Sequence, residues 1–271
     1  MKIEHKCFKI FIIFCLTFIL LGNIEIHSQI FKKDIHKLEI PRTLKNEEII
    51  CHTYFCFVFD DDYKQSKWVA YVLKKEMTES KYSRNDKFME DPKVKNGTAT
   101  NKDYEKSGYD RGHLVPAADM SFDEISLHES FYFSNVSPQI PQFNRGIWKQ
   151  LEAEVRNYTK TLNKIYVVTG PILKDLNKSE YKVIGENNIV VPNYFYKAIL
   201  YVSDTTIQAI GFVLPNQKAE KKSLYSYSCS IDELEILSGI DFFFKLPDKI
   251  EKKVEQTFDT LFWKNLIYKT F

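Results

Sequence analysis

Asp110, Arg111, Gly112 and His113 follow one another inside the stretch GYDRGHLVPAADM, so an acid, a fixed cation and an imidazole share one short segment. An unperturbed histidine titrates near ~6.5 and can take a proton from water at neutral pH. The arginine beside it offers a planar, permanent charge to an anion. Alone, the tetrapeptide is equally a turn carrying a surface Asp–Arg pair. Downstream, however, FSNVSPQIPQFNRGIWKQLE supplies Asn135, Asn144 and Glu152. Asn144 and Glu152 are a little over two helical turns apart, so one face of a single helix can present both. An amide oxygen and a carboxylate converging on one patch suit a hard, hydrated cation; a helix cap and a solvated acid are the plain alternatives.

The other histidines carry less. His5 and His27 fall in the amino-terminal run, and His36 in the charged stretch after it. His52 sits in a strand-like run where packing explains it, and His128 in a short helical pattern, SFDEISLHES, where solvent does.

The elements that must position these residues follow from periodicity. Runs rich in β-branched and aromatic residues at 49–59, 68–73, 164–169, 194–202 and 206–214 predict strands. Ile147, Leu151, Val155 and Tyr158 recur at helical spacing and predict one helix over 143–162. Ser230 and Glu233 have the spacing of a capping box, with Gly239 as the stop, and 249–265 reads as one or two further helices. The expected fold class is α+β, a mixed, mainly antiparallel sheet with flanking helices.

Composition sets the outer bounds. The 271 residues are 44% hydrophobic and 15% aromatic, enough to bury a full core, and the formal charge of +2 excludes a strongly basic nucleic-acid-binding domain. Lys2, Lys6 and Lys9 precede the uncharged run IFIIFCLTFILL, which is too short to span a membrane and reads as a signal peptide over 1–28. That reading implies a secreted or periplasmic protein with no stable membrane association after cleavage. Residues 29–45 read as a linker, and 46–271 as one domain. Of five cysteines, Cys51, Cys56 and Cys229 lie in that domain. Within one continuous strand the offset between Cys51 and Cys56 sends their side chains to opposite faces. A bridge would need a turn or bulge between them, and free thiols are the simpler reading.

Taken together, DRGH (110–113), SNVSPQ (134–139) and FNRGIWKQLE (143–152) resemble the DNA/RNA non-specific endonucleases, a branch of the ββα-metal (His-Me finger) nucleases of the endonuclease G type. The resemblance extends to WVAYVL (68–73), SRNDKFMEDP (83–92), VVTGPIL (167–173) and VPNYFYKAIL (191–200), nearly the whole domain. It implies a ββα-metal unit with DRGH on the strands and Asn144 on the crossing helix. It further implies His113 as general base, Asn144 as the one direct protein ligand of Mg²⁺ or Mn²⁺, and Glu152 as the acid that fixes metal-bound water. Arg84 would neutralise the pentacovalent transition state, while Arg111 and Asn135 lie near the phosphate and the site's scaffold. DNA and RNA would be substrates, the products would carry 5′-phosphates, and a homodimer is possible. The rivals are a catalytically silent nucleic-acid-binding protein and a toxin-type nuclease with an immunity partner.

Overall fold

The computed structural model describes residues 37–173 and 181–268. The segment read as a signal peptide, with Cys7 and Cys15, lies outside them. In chain order the strands are β1 (Ile49–Cys51), β2 (Phe55–Asp60), β3 (Gln65–Lys74), β4 (Asp110–His113), β5 (Val136–Gln139), β6 (Lys164–Pro171), β7 (Val183–Ile184), β8 (Ile189–Val190), β9 (Tyr194–Val202), β10 (Ile207–Pro215) and β11 (Ser228–Cys229). The helices are α1 (Asn101–Tyr104), α2 (Ala117–Met120), α3 (Glu124–Glu129), α4 (Lys149–Leu162), α5 (Ile231–Ser238), α6 (Asp248–Gln256) and α7 (Thr260–Tyr268). None among the described residues is long and apolar enough to cross a membrane.

Seven strands form one sheet in the order β1–β2–β3–β6–β9–β10–β11, every pair antiparallel. This is the α+β architecture the sequence predicts. Side chains alternate across the sheet, so β9 sends Phe195 and Ile199 into one core and Tyr196, Ala198 and Leu200 into another. The first core packs under α4 and α7 through Trp148, Leu151, Val155 and Trp263. The second packs under α5 and α6 through Ile231, Leu234, Ile250 and Val254. Leu38 and Ile40, within the stretch read as a linker, are buried in that second core. α5 starts at the capping box of Ser230 and Glu233 and stops at left-handed Gly239 (φ 73°), both as the sequence predicts.

Two local expectations fail for identifiable reasons. The run 49–59 is a hairpin, because residues 52–54 turn the chain between β1 and β2. Cys51 and Cys56 therefore face each other across the ladder and form a disulfide, correcting the reading of free thiols; Cys229 is free. The expected single helix over 143–162 is regular only from Lys149. Phe143–Trp148 is a wider π-type turn with Gly146 off the helical backbone (φ −105°, ψ −111°).

Candidate active site

β4 and β5 form a separate antiparallel pair that registers His113 with Val136 and Gly112 with Ser137. The pair is tied to the large sheet by side chains: Ser137 Oγ donates to Gln65 Oε1 (2.6 Å) and Ser66 Oγ to the Ser134 carbonyl (2.6 Å). The π-turn and α4 cross beneath it. Together they wall a cleft of about 720 Å³ that contains His113, Asn144, Glu152, Arg84 and Arg111. Five of the six residues singled out from sequence thus meet in one place.

Asn135 is the exception. It is fully buried, its Oδ1 accepts from Val115 N–H (2.8 Å) and its Nδ2 donates to the carbonyls of Val115 and Ser130 (both 2.9 Å). Its backbone carbonyl accepts from Leu114 N–H. Asn135 therefore anchors the chain leaving DRGH and does not face the cleft.

His113 is 8% exposed, and its ring lies against Phe88 and Phe131, with centroids 5.1 and 4.9 Å away. Its Nε2 has no hydrogen-bond partner in the protein. Burial, helped by the nearby Arg84 and Arg111 charges, pushes its pKa down to about 3. The imidazole is neutral at physiological pH, the protonation state from which a general base acts.

Asp110 organises the other wall. Its Oδ2 accepts from Asn144 Nδ2 (2.9 Å) and Arg145 Nε (2.8 Å), and its Oδ1 from Arg145 Nη2 (2.7 Å). A carboxylate can only accept, so the Asn144 amide must turn its NH₂ toward Asp110 and is left with Oδ1 as the atom it can offer a cation. The off-helix backbone at Gly146 frees the π-turn from regular helical spacing, so Asn144 and Glu152 share the cleft without sharing one helical face.

Gly112 owes its place to space. A Cβ there would meet the Gln139 carboxamide at 2.2 Å, and Gln139 is fully buried. Gly112→Ala is expected to cost about 1–3 kcal/mol through overpacking and to shift His113 with its strand. Urea unfolding of the variant checks this, and a wild-type midpoint would reject it.

Glu152 reaches the cleft from α4 above a buried charged layer. Burial raises its proton affinity and the Lys197 charge opposes that; burial lowers the affinity of Lys197 and the Glu152 charge opposes that in turn. Lys197 is fully buried. Its Nζ donates to the Leu114 carbonyl (3.3 Å) and Thr169 Oγ1 (3.1 Å), and it sits 4.4 Å from a Trp148 ring centroid. Beside it, Asp119 accepts from Arg156 Nη1 (2.6 Å) and Tyr71 Oη (2.8 Å). Lys197→Met should let Glu152 hold its proton to higher pH, moving the acid limb of the pH–rate profile for kcat/KM up by about one unit. A limb that stays put would show that Lys197 does not set the charge of Glu152.

Arg84 pairs with Asp86 and lies 5.5 Å from the Phe131 centroid. Arg111 donates to Asn101 Oδ1 (2.5 Å) and lies over Phe88 at 4.6 Å. Both are exposed and line the cleft. Sequence reasoning missed Arg145, Lys149, Arg156, Asp119 and Lys197. Asp119 stood in the quoted DRGH stretch and Lys197 in YFYKAIL, where one lysine interrupts an otherwise apolar strand; that interruption was the legible signal. The plain readings of His52 and His128 hold. His52 is buried against Asp91 (2.7 Å) and stacked on Tyr132, and His128 is exposed on α3.

Comparison with known proteins places this arrangement among others. The sequence model described as DNA/RNA non-specific endonuclease matches residues 34–249. Nuclease EXOG, mitochondrial, from Danio rerio is 35% identical over 204 residues, 71% of this chain and 60% of the relative. Endonuclease G, mitochondrial, from Bos taurus is 33% identical over 198 residues, 69% and 66% of the two chains. Nuclease C1 from Cunninghamella echinulata var. echinulata is 38% identical over 171 residues, 60% and 68%. The chain thus spans about three fifths of the EXOG relative's length. Among solved structures, a chain of the EndoG/EndoGI complex superposes with a TM-score of 0.71 at 30% identity, covering 79% of this chain and 92% of that one. The mitochondrial names of the EXOG and endonuclease G relatives overturn the expectation of a secreted or periplasmic protein.

Proposed function

The chain belongs to the DNA/RNA non-specific endonuclease family, and from that premise we propose that it hydrolyses phosphodiester bonds of DNA and RNA with little sequence preference. His113 serves as general base, and Mg²⁺, or Mn²⁺ in its place, is held through Asn144. The observation that carries this reading is the convergence of the His113 imidazole, Asn144 and Glu152 in one cleft walled by fixed cations.

A phosphodiester is anionic and resists attack, so its hydrolysis needs charge compensation, a base and help for the departing oxygen. His113 takes the proton from the attacking water, its neutral form already present because burial disfavours the imidazolium. Arg84 and Arg111 meet the non-bridging oxygens, each guanidinium steadied by an aromatic ring and a side-chain oxygen. The donor set fits a hard cation: Asn144 offers a neutral oxygen, Glu152 a carboxylate in the same cleft, and neither sulfur nor a second imidazole competes. When bound, the cation offsets negative charge on the scissile phosphate and the leaving oxygen. Asp110 keeps the Asn144 amide turned the right way, and Glu152 accepts hydrogen bonds from water in the cleft.

The decisive test is cleavage of supercoiled plasmid and of a structured RNA by the purified chain, with Mg²⁺ and with EDTA. Both substrates should be lost with Mg²⁺ and spared with EDTA. Salt-dependent binding without cleavage across Mg²⁺ and Mn²⁺ would reject the proposal in favour of a silent binding protein.

A further inference from the structure

The sheet has a second face, and its chemistry differs from that of the cleft. There α5 contributes Asp232 and Glu235, three residues apart and so on one side of the helix, and α6 contributes Glu255. One carboxylate oxygen from each lies within 4.8 Å of the others. Clustered acids are common on surfaces, but Glu255 is not on the surface. It is 7% exposed and its Oε1 has no hydrogen-bond partner. It faces the charges of Glu235, Glu251, Asp232 and Asp241, all of its own sign. The cation Arg42 at the rim is already bound to Asp241 (2.5 Å).

Burying one unpaired carboxylate is costly, and surrounding it with others adds to the cost. Two things relieve such a pocket: a proton or a cation. Burial and the neighbouring acids also raise the proton affinity of both Glu255 and Glu235. Glu235 Oε1 accepts from Phe242 N–H (2.7 Å), which fixes the side chain. The donors are all carboxylate oxygens, from two packed helices that share the second core. Oxygen donors of this number and charge, on elements with some freedom to adjust, match a large hard cation better than a small octahedral one. We propose that Asp232, Glu235 and Glu255 form a structural divalent-cation site, taking Ca²⁺, that clamps α6 to α5 on the side of the sheet opposite the cleft.

The site is separable from the catalytic cation by mutation. Ca²⁺ is titrated calorimetrically, and by thermal melting, into the full chain and into its Asn144→Ala, Glu255→Gln and Asp232→Asn variants. The expected result is a binding event that survives in Asn144→Ala and disappears in both acidic-site variants. The melting midpoint should rise by about 5 °C or more once Ca²⁺ is about a hundredfold above its dissociation constant. Without Ca²⁺, Glu255→Gln should melt at or above the wild-type temperature, since it removes the buried charge while keeping the shape. Asp232→Asn, on a half-buried position at the start of α5, covers the case in which Glu255→Gln folds poorly. A Ca²⁺ event lost in Asn144→Ala but kept in Glu255→Gln would place the ion in the cleft alone and overturn the proposal. No Ca²⁺ event in any chain would overturn it in favour of a shared proton.

Discussion

His113→Ala is expected to lower the cleavage rate about 10²- to 10⁴-fold on both DNA and RNA while leaving the sheet folded. The ring touches Phe88 and Phe131 but none of the seven-stranded ladder depends on it. Plasmid and RNA cleavage at fixed Mg²⁺, beside far-UV circular dichroism, reads both halves of the expectation; near wild-type turnover would remove His113 from the role of base. The same substitution has a signature in stability. An unfolded histidine binds a proton near ~6.5, whereas folded His113 does so only at about 3. Between those values the unfolded chain holds the extra proton, so stability is complete above the first and falls as pH drops toward the second. His113→Ala should flatten that part of the stability–pH curve, which denaturant melts between about pH 4 and about pH 7 can follow.

Asn144→Ala is expected to reduce cleavage by about 10²-fold or more and to raise the Mg²⁺ concentration needed for half-maximal rate. It removes the neutral oxygen offered to the ion and frees the Asp110 oxygen that the amide had occupied. Arg145 still binds Asp110 through two hydrogen bonds, so the turn itself should persist and the loss should appear as metal dependence, not as unfolding. An Mg²⁺ titration superimposable on that of the wild-type chain would dismiss Asn144 as the ligand.

The residues legible in sequence were those whose chemistry is local. DRGH announced itself because four unlike side chains stand in a row, and Asn144 and Glu152 because they open a patterned amphipathic segment. Strand positions were readable for the same reason: the β-branched and aromatic run at 194–202 becomes β9 (Tyr194–Val202) residue for residue. What stayed hidden depends on contacts across long separations or on one residue's backbone. Lys197 is meaningful only because β9 passes beneath Leu114 and Trp148, and Arg156 only because α4 brings it to Asp119. The disulfide was hidden by residues 52–54, which look like strand and behave as turn. The need for glycine at 112 stayed hidden because Gln139, which decides it, sits on another strand.

The attachment of the β4–β5 pair carries one last consequence. This pair shares no ladder with the large sheet and is hydrogen-bonded toward it through Gln65, Ser66 and Asn216, by side chains bonding to backbone or to one another. Such a unit can open as its own foldon while the sheet stays closed. Amide exchange along Arg111–His113 is then expected to proceed through sub-global opening, with the cleft losing its shape at a lower temperature than the sheet.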